Sequence, residues 1–290
     1  MNRSIESGFE TNRTEKPFLI LGGTGKTGRR VAERLAKQGL PVRIGSRSGE
    51  PSFDWENPAT WLPALKDVRA VYIAFYPDLA VPGAAAAIGT FARLAVGRGV
   101  RRLVLLSGRG EEEAQLSEQA LKDSGAEWTI LRASWFCQNF SESFLQGMVL
   151  GGEVALPADE VTEPFVDADD IADVAAAALT DDRHIGQLYE LTGPRALTFA
   201  EATAAVAQAS GREIRYTPLT HEAFLAMLEE QQVPGEYVAL LSYLFSTVLD
   251  GRNAHLTDGV QRALGREPRD FAVFANTAAA AGAWEVDVHG

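Results

Sequence analysis

Residues 17–21 (PFLIL) form a short apolar run without polar alternation, and Gly22-Gly23-Thr24-Gly25-Lys26-Thr27-Gly28 follows at once. Such a run suits a strand buried on both faces of a parallel sheet. Val31, Ala32, Leu35 and Ala36 then recur at helical spacing, Arg30, Arg34 and Lys37 fall on other faces, and Gly39 supplies a stop. The next segment, VRIGS, reads as a second strand. A strand, a glycine turn, a helix and a parallel strand within about thirty residues make a βαβ unit, which commits the chain to a wound α/β sheet.

The alternation continues through expected strands at 69–75, 102–106 and 127–131 and expected helices at 84–96 and 111–123. Strands and helices in turn imply a doubly wound parallel sheet covered on both faces. After Phe140 the pattern loosens into a helix, a break at Gly151-Gly152, a strand near 161–166, a helix over 169–179 and a strand at 188–191. Beyond Gly193 helices are expected near 199–210, 221–231, 236–249 and 258–264, with the run Ala278–Ala281 as a weak, fraying helix. The resulting division is a flexible leader at 1–16, a dinucleotide-binding Rossmann domain at 17–150 completed by about 161–193, and a smaller, mainly helical substrate-binding region at 194–290.

Composition excludes several classes. With 46% hydrophobic and 23% charged residues the chain is ordinary globular protein. A net charge of −12 repels nucleic acid and acidic membranes, so neither is an expected partner. The most apolar stretches are interrupted by Pro82 and Arg93 or end after a dozen residues (238–249), short of the roughly 20 that span a bilayer. The leader contains no continuous apolar segment and so does not read as a signal peptide. The single cysteine, Cys137, precludes an internal disulfide and fits a reducing cytoplasm. None of the four histidines stands in a metal-binding motif, so no metal is expected.

Within this acidic chain, Lys26, Arg29, Arg30, Arg34, Lys37, Arg43 and Arg47 are opposed over residues 26–47 only by Glu33. Beside the glycines, this local charge reads as a site for a phosphorylated small molecule rather than only a solvated helix face. In the strand-turn-helix context Gly22 permits a tight turn, Gly25 admits backbone N–H groups to a pyrophosphate, and Gly28 lets the helix approach the strand. The helix N-terminus then faces the phosphates, with Gly23 and Thr24 in the same loop. An acid closing the second strand would take a ribose hydroxyl, whereas an arginine receives a 2′-phosphate. The chain has Gly45-Ser46-Arg47-Ser48 there, which favours NADP(H) over NAD(H) unless Arg47 is a solvated loop residue. Asp54, between Phe53 and Trp55, is placed to meet an adenine amino group, and Phe75-Tyr76-Pro77 and Ser107 end strands that border the same crevice.

The segments LILGGTGKTGRRVAERL, RRLVLLSGRG, SGAEWTILRASWFCQNF, PFVDADDIADVAAAAL and LYELTGPRALTFAEA, spanning residues 18 to about 210, together with VQRALGREPRDF, resemble the NmrA-like branch of the atypical short-chain dehydrogenases. The match looks closest to the subgroup of ergot-alkaloid iminium reductases. The resemblance implies that Gly22, Gly25, Lys26, Thr27 and Gly28 hold the pyrophosphate and Arg47 the 2′-phosphate. It further implies that Phe75, Tyr76 and Pro77 line the cofactor, and that Trp135, Phe136 and Asn139 border the nicotinamide end. The branch holds quinone, dye, iminium and isoflavone-type reductases, and also regulators that sense the cofactor without consuming it.

Most short-chain dehydrogenases protonate an alkoxide with a Tyr-x-x-x-Lys pair. The corresponding helix here, EEEAQLSEQALKDSG, contains no tyrosine. Glu118 and Lys122 have the i to i+4 spacing, but that is equally an ordinary helix ion pair. Quinones and iminium ions accept hydride with positioning alone, so a small conjugated acceptor is expected. Tyr76 is the best candidate for a pocket residue that could also donate a proton, with Lys122 a weaker catalytic candidate and Tyr243 a candidate pocket wall, although aromatics in apolar segments also serve as plain core. The expectation is an NADPH-dependent reductase acting as a monomer or homodimer, with a non-catalytic NADP(H) sensor as the alternative.

Overall fold

Alternate residues of each central strand point to opposite sides, and both sides are dry. The computed structural model describes residues 16–285. Its sheet contains β1 (Phe18–Leu21), β2 (Val42–Gly45), β3 (Ala70–Ile73), β4 (Arg102–Gly108), β5 (Glu127–Ala133) and, later in the chain, β8 (Gln187–Leu191). Phe18, Ile20, Tyr72, Val104 and Leu131 face one layer, where α1 (Lys26–Lys37) and α7 (Ala168–Thr180) pack. Leu19, Leu21, Val71, Ile73, Leu103 and Leu105 face the other, which holds α2 (Trp61–Leu65), α3 (Ala84–Gly97) and α4 (Glu112–Lys122). Burial on both faces is why these strands carry no polar alternation.

The strand order is β2-β1-β3-β4-β5-β8, with every pair parallel. The chain runs from β1 outward to β2 and then crosses back to β3 on the other side of β1. The carboxyl ends of β1 and β3 therefore flank the switch point where ligands enter open α/β sheets.

A third core lies beyond this edge. It is drawn from α5 (Asn139–Glu142), α6 (Phe144–Leu150), α8 (Phe199–Ser210), α9 (His221–Glu230) and α12 (Phe271–Ala280), with α10 (Gly235–Tyr243) alongside it. Phe140, Phe165, Phe199 and Phe271 meet there in edge-to-face and tilted contacts with ring centroids 5.0–6.3 Å apart. Packing does not follow chain order. Val260 and Ala263 of α11 (Gly259–Leu264) join the core of the sheet, whereas Cys137, Leu145 and Val154 join the third core.

Several expected elements differ. The strand expected at 161–166 is only β7 (Thr162–Glu163), antiparallel to β9 (Leu197–Thr198), plus a single bridge from Val166 to Phe136. β6 (Glu153–Leu156) and β10 (Arg215–Pro218) form a separate parallel pair that the sequence pattern did not mark. The helix expected over 236–249 stops at Tyr243 and continues as a wider π-type turn at Leu244–Val248. The weak helix expected at 278–281 is the end of α12, which Phe271, Phe274 and Ala275 anchor in the third core. Most of the leader expected at 1–16 lies outside the described residues. No helix among the described residues is long and apolar enough to cross a membrane.

Candidate active site

The glycine loop leaves β1 in a left-handed turn at Gly22 (φ 66°), whose N–H donates to the Gly45 carbonyl at 3.2 Å. Gly25 donates to the Gly22 carbonyl at 2.9 Å. A Cβ at Gly28 would stand 2.2 Å from that same carbonyl oxygen, so only glycine lets α1 come this close. α1 has no side-chain cap and no acid in its first turn, which leaves its N-terminal N–H groups and positive dipole end for an anion. Thr24 and Gly25 are exposed on the loop; Gly23 and Thr27 are buried beneath it. The Lys26 ammonium donates to Asn139 Oδ1 at 2.9 Å, and burial pushes its pKa down against the opposing pull of Glu142.

At the end of β2 the Ser46 carbonyl accepts from Gly49 and Phe53 N–H groups, which folds the following loop back. Arg47 is exposed, its guanidinium 5.8 Å from the centre of the Tyr76 ring. Asp54 turns its carboxylate to its own turn, accepting from Glu56 N–H at 3.1 Å, above an aromatic cluster of Phe53, Trp55, Trp61, Phe75 and Phe91.

Seven expected residues, Lys26, Phe75, Pro77, Ser107, Trp135, Phe136 and Asn139, line one cleft of about 400 Å³ at the switch point. Tyr76 stands on its rim, 58% exposed, with its hydroxyl hydrogen-bonded to that of Tyr237. Two expectations are corrected. Lys122 lies outside the cleft with its ammonium 5.2 Å over the Trp128 ring, and it does not pair with Glu118. Glu118 is buried and accepts instead from Ser107 Oγ at 2.7 Å and from Arg132 at 2.6 and 2.9 Å, because these longer-range donors reach the interior side of α4. Tyr243 is not in the lining; Glu111, Glu112 and Glu113 at the start of α4 are its charged neighbours. The inward face of α10 and the turn after it carries Tyr237, Leu240, Leu241 and Leu244, one helical stripe from which Tyr243 is rotated away.

The cleft also holds ionisable groups that the sequence reading passed over. Arg109 is 4% exposed and donates to Ser134 Oγ at 2.9 Å, to the carbonyls of Asn253 and His255 at 3.0 and 3.2 Å, and approaches Glu190 at 3.6 Å. Glu163 accepts from Trp135 N–H at 3.2 Å, and burial raises its pKa to about 7 against the pull of Arg109. Asp78 and Glu111 face one another in the wall, both pushed upward, first by burial and for Glu111 also by the Asp78 charge, which takes Glu111 to about 9. Their positions in the loops that follow β3 and β4 were the available signal for Asp78, Arg109 and Glu111. Glu163 and Tyr237 carried none, since their approach depends on how the third core docks.

A family model described as NAD(P)H-binding matches residues 22–182, and one described as NmrA-like family matches residues 115–271. The chain belongs to the NmrA-like family. Among its relatives, the uncharacterized oxidoreductase YesF of Bacillus subtilis is 33% identical over 92% of this chain and 96% of its own length. Agroclavine dehydrogenase of Claviceps fusiformis is 33% identical over 89% of this chain and 95% of its own. The NADPH-dependent quinone oxidoreductase of Escherichia coli, solved with NADPH, shares the fold with a TM-score of 0.72 at 22% identity, covering 90% of this chain and 99% of that one. This member of the NmrA-like family is an NAD(P)H-dependent oxidoreductase.

Proposed function

We propose that this protein reduces a small, flat, conjugated acceptor with NADPH. The observation that carries the reading is the convergence of Lys26, Phe75, Ser107, Trp135 and Asn139 on one cleft at the switch point, beside an uncapped helix N-terminus. The fit to a dinucleotide rests on the loop itself: Cβ atoms at Gly25 and Gly28 would crowd the Gly22 carbonyl, and the first-turn N–H groups have no internal anion. Lys26 and the loop N–H groups would hold the phosphates, and Arg47 the 2′-phosphate that distinguishes NADPH from NADH. When bound, the reduced nicotinamide supplies hydride. The chain supplies orientation and a mostly apolar wall of Phe75, Trp135, Phe136, Leu240 and Leu241 against which a planar ring would stack. Two names support a conjugated acceptor, an alkaloid dehydrogenase among the relatives and a quinone oxidoreductase among the fold neighbours.

The test follows loss of reduced-nicotinamide absorbance with a panel of quinones, cyclic iminium ions and cationic dyes, with cofactor affinity measured in parallel. Turnover with NADPH by any of them is the expected result; tight NADPH binding with no turnover across the panel would turn the reading to a redox sensor. Arg47→Glu should raise the Kd for NADPH at least about tenfold relative to NADH, since a charge-assisted contact contributes roughly 1.5–3 kcal/mol. Equal weakening of both cofactors would remove Arg47 from the site.

A further inference from the structure

The cleft wall also holds a carboxyl pair, Asp78 and Glu111, that has no part in hydride delivery. Glu111 is 8% exposed and forms no salt bridge with any described cation. A Cβ at Gly108 would lie 1.9 Å from Glu111 Oε1, so glycine at the end of β4 leaves room for the carboxyl to fold back against the strand end, and a larger residue would push it aside. Asp78 reaches the same place from the end of β3, its Oδ1 anchored by the Ala80 N–H at 2.8 Å. Both side chains line the cleft with Phe75, Trp135 and Leu240.

Every charged group around Glu111 leaves its proton in place. From α4, Glu113 and Glu118 add negative charge, and from the β3 side Asp78 does the same. The two cleft cations are held elsewhere, Arg109 by Ser134, Asn253, His255 and Glu190, and Lys26 by Asn139. Glu163 and Tyr243 complete the surrounding ionisable groups and bring no positive charge. Two carboxyls in one poorly solvated wall share a proton because both cannot ionise together.

We propose that Glu111, seated between Gly108 and Asp78 in the wall of the cleft, is the proton donor to acceptors that become anionic on taking up hydride. The inference rests on the reductase reading above. The acceptor gains two electrons and a proton as hydride from the dihydronicotinamide, which ends oxidised. The electron pair displaced from a C=O or N=N bond comes to rest on oxygen or nitrogen. The Glu111 O–H bond then breaks, its proton forms the new O–H or N–H bond, and Glu111 is left as a carboxylate beside Asp78, a doubly charged state that lasts only until the pair regains its proton. Asp78 is half-buried and takes up the replacement proton from water. An iminium ion becomes a neutral amine on accepting hydride and needs no such proton. Glu111 is therefore a catalytic residue for quinones and azo compounds in particular.

The experiment compares Glu111→Gln with the unaltered protein, using a p-quinone, an aromatic azo compound and a cyclic iminium ion as acceptors, all with NADPH. The expected result is a fall of about a hundredfold in the ratio of quinone or azo turnover to iminium turnover, within the range general acid catalysis supplies. The quinone rate of the unaltered protein should also decline as pH rises through about 9, and that limb should vanish in the variant. An unchanged ratio with all acceptors still reduced would overturn the assignment and leave the reductase standing; no turnover of any acceptor by the unaltered protein would instead overturn the reductase. A readout independent of turnover is infrared difference spectroscopy of the cofactor-free protein. It should show a protonated carboxyl at neutral pH that Glu111→Gln abolishes and that Asp78→Asn causes to ionise at lower pH. Absence of that band at neutral pH would also overturn the proposal.

Discussion

Helices α7 and α10 are both rich in apolar residues, yet α7 buries nine residues and α10 buries none. α7 packs beside α1 on one face of the sheet, and its alanines let helix and sheet approach closely. α10 lies over the cleft, where Tyr237, Leu240 and Leu241 line a space rather than a partner helix. The same hydrophobic composition thus serves two ends. On α7 the apolar face is satisfied within the chain and contributes to folding, whereas on α10 it stays partly exposed along the cleft.

A matched pair of truncations would break this contrast or sharpen it. Ile171 on α7 is fully buried among Val31, Leu35 and the sheet. Ile171→Ala should cost roughly 2–5 kcal/mol in denaturant unfolding, the range for a core cavity that relaxes incompletely. Its turnover, measured where the variant is folded, should be near that of the unaltered protein. A loss under about 1 kcal/mol would mean that the two helices are not packed differently.

What could be read from the sequence follows the same division. The β1, glycine loop and α1 segment was legible because its constraints are local: a Cβ at Gly28 meets a carbonyl only six residues away. The limits of α8 were legible too, since Thr198 and Glu201 form a reciprocal capping box at its start. β6 and β10 were not, because each four-residue strand pairs with a partner about sixty residues away. On α10 the expectation named Tyr243 and passed over Tyr237 because a helix with apolar residues around most of its surface does not declare which stripe faces inward. Glu118 and Lys122 had the spacing of a helix pair, but Arg132 and Ser107 outcompete Lys122 for the carboxylate.

Glu163 sits where the sheet meets the third core, and its titration reports on that seam. Burial raises its pKa to about 7 in the folded chain, above the ordinary carboxylate value of about 4.3. The folded state therefore binds a proton that the unfolded state has already released. The resulting stability is fully present below about pH 4 and is lost as pH rises through about 7, at most about 4 kcal/mol in all. Glu163→Gln is neutral at every pH and retains an oxygen for the Trp135 N–H. The difference in unfolding free energy between the two proteins should shift toward the variant from pH 4 to 8. A pH-independent difference would mean that the seam is wetter than its packing shows.

The smallest stability effect is expected on α10 itself. Leu241 is only half-buried, so Leu241→Ala removes little surface that folding had taken from water and should cost less than about 1 kcal/mol. Its side chain nevertheless lines the cleft beside Leu240 and Leu244, where a bound ring would cover it. The KM for an apolar acceptor should rise several-fold while cofactor affinity holds, because the glycine loop proposed to hold the phosphates lies on the sheet side of the cleft. If Leu241→Ala instead destabilised the chain as much as Ile171→Ala and left KM alone, α10 would be a second α7, and its apolar stripe would belong to the core rather than to the ligand.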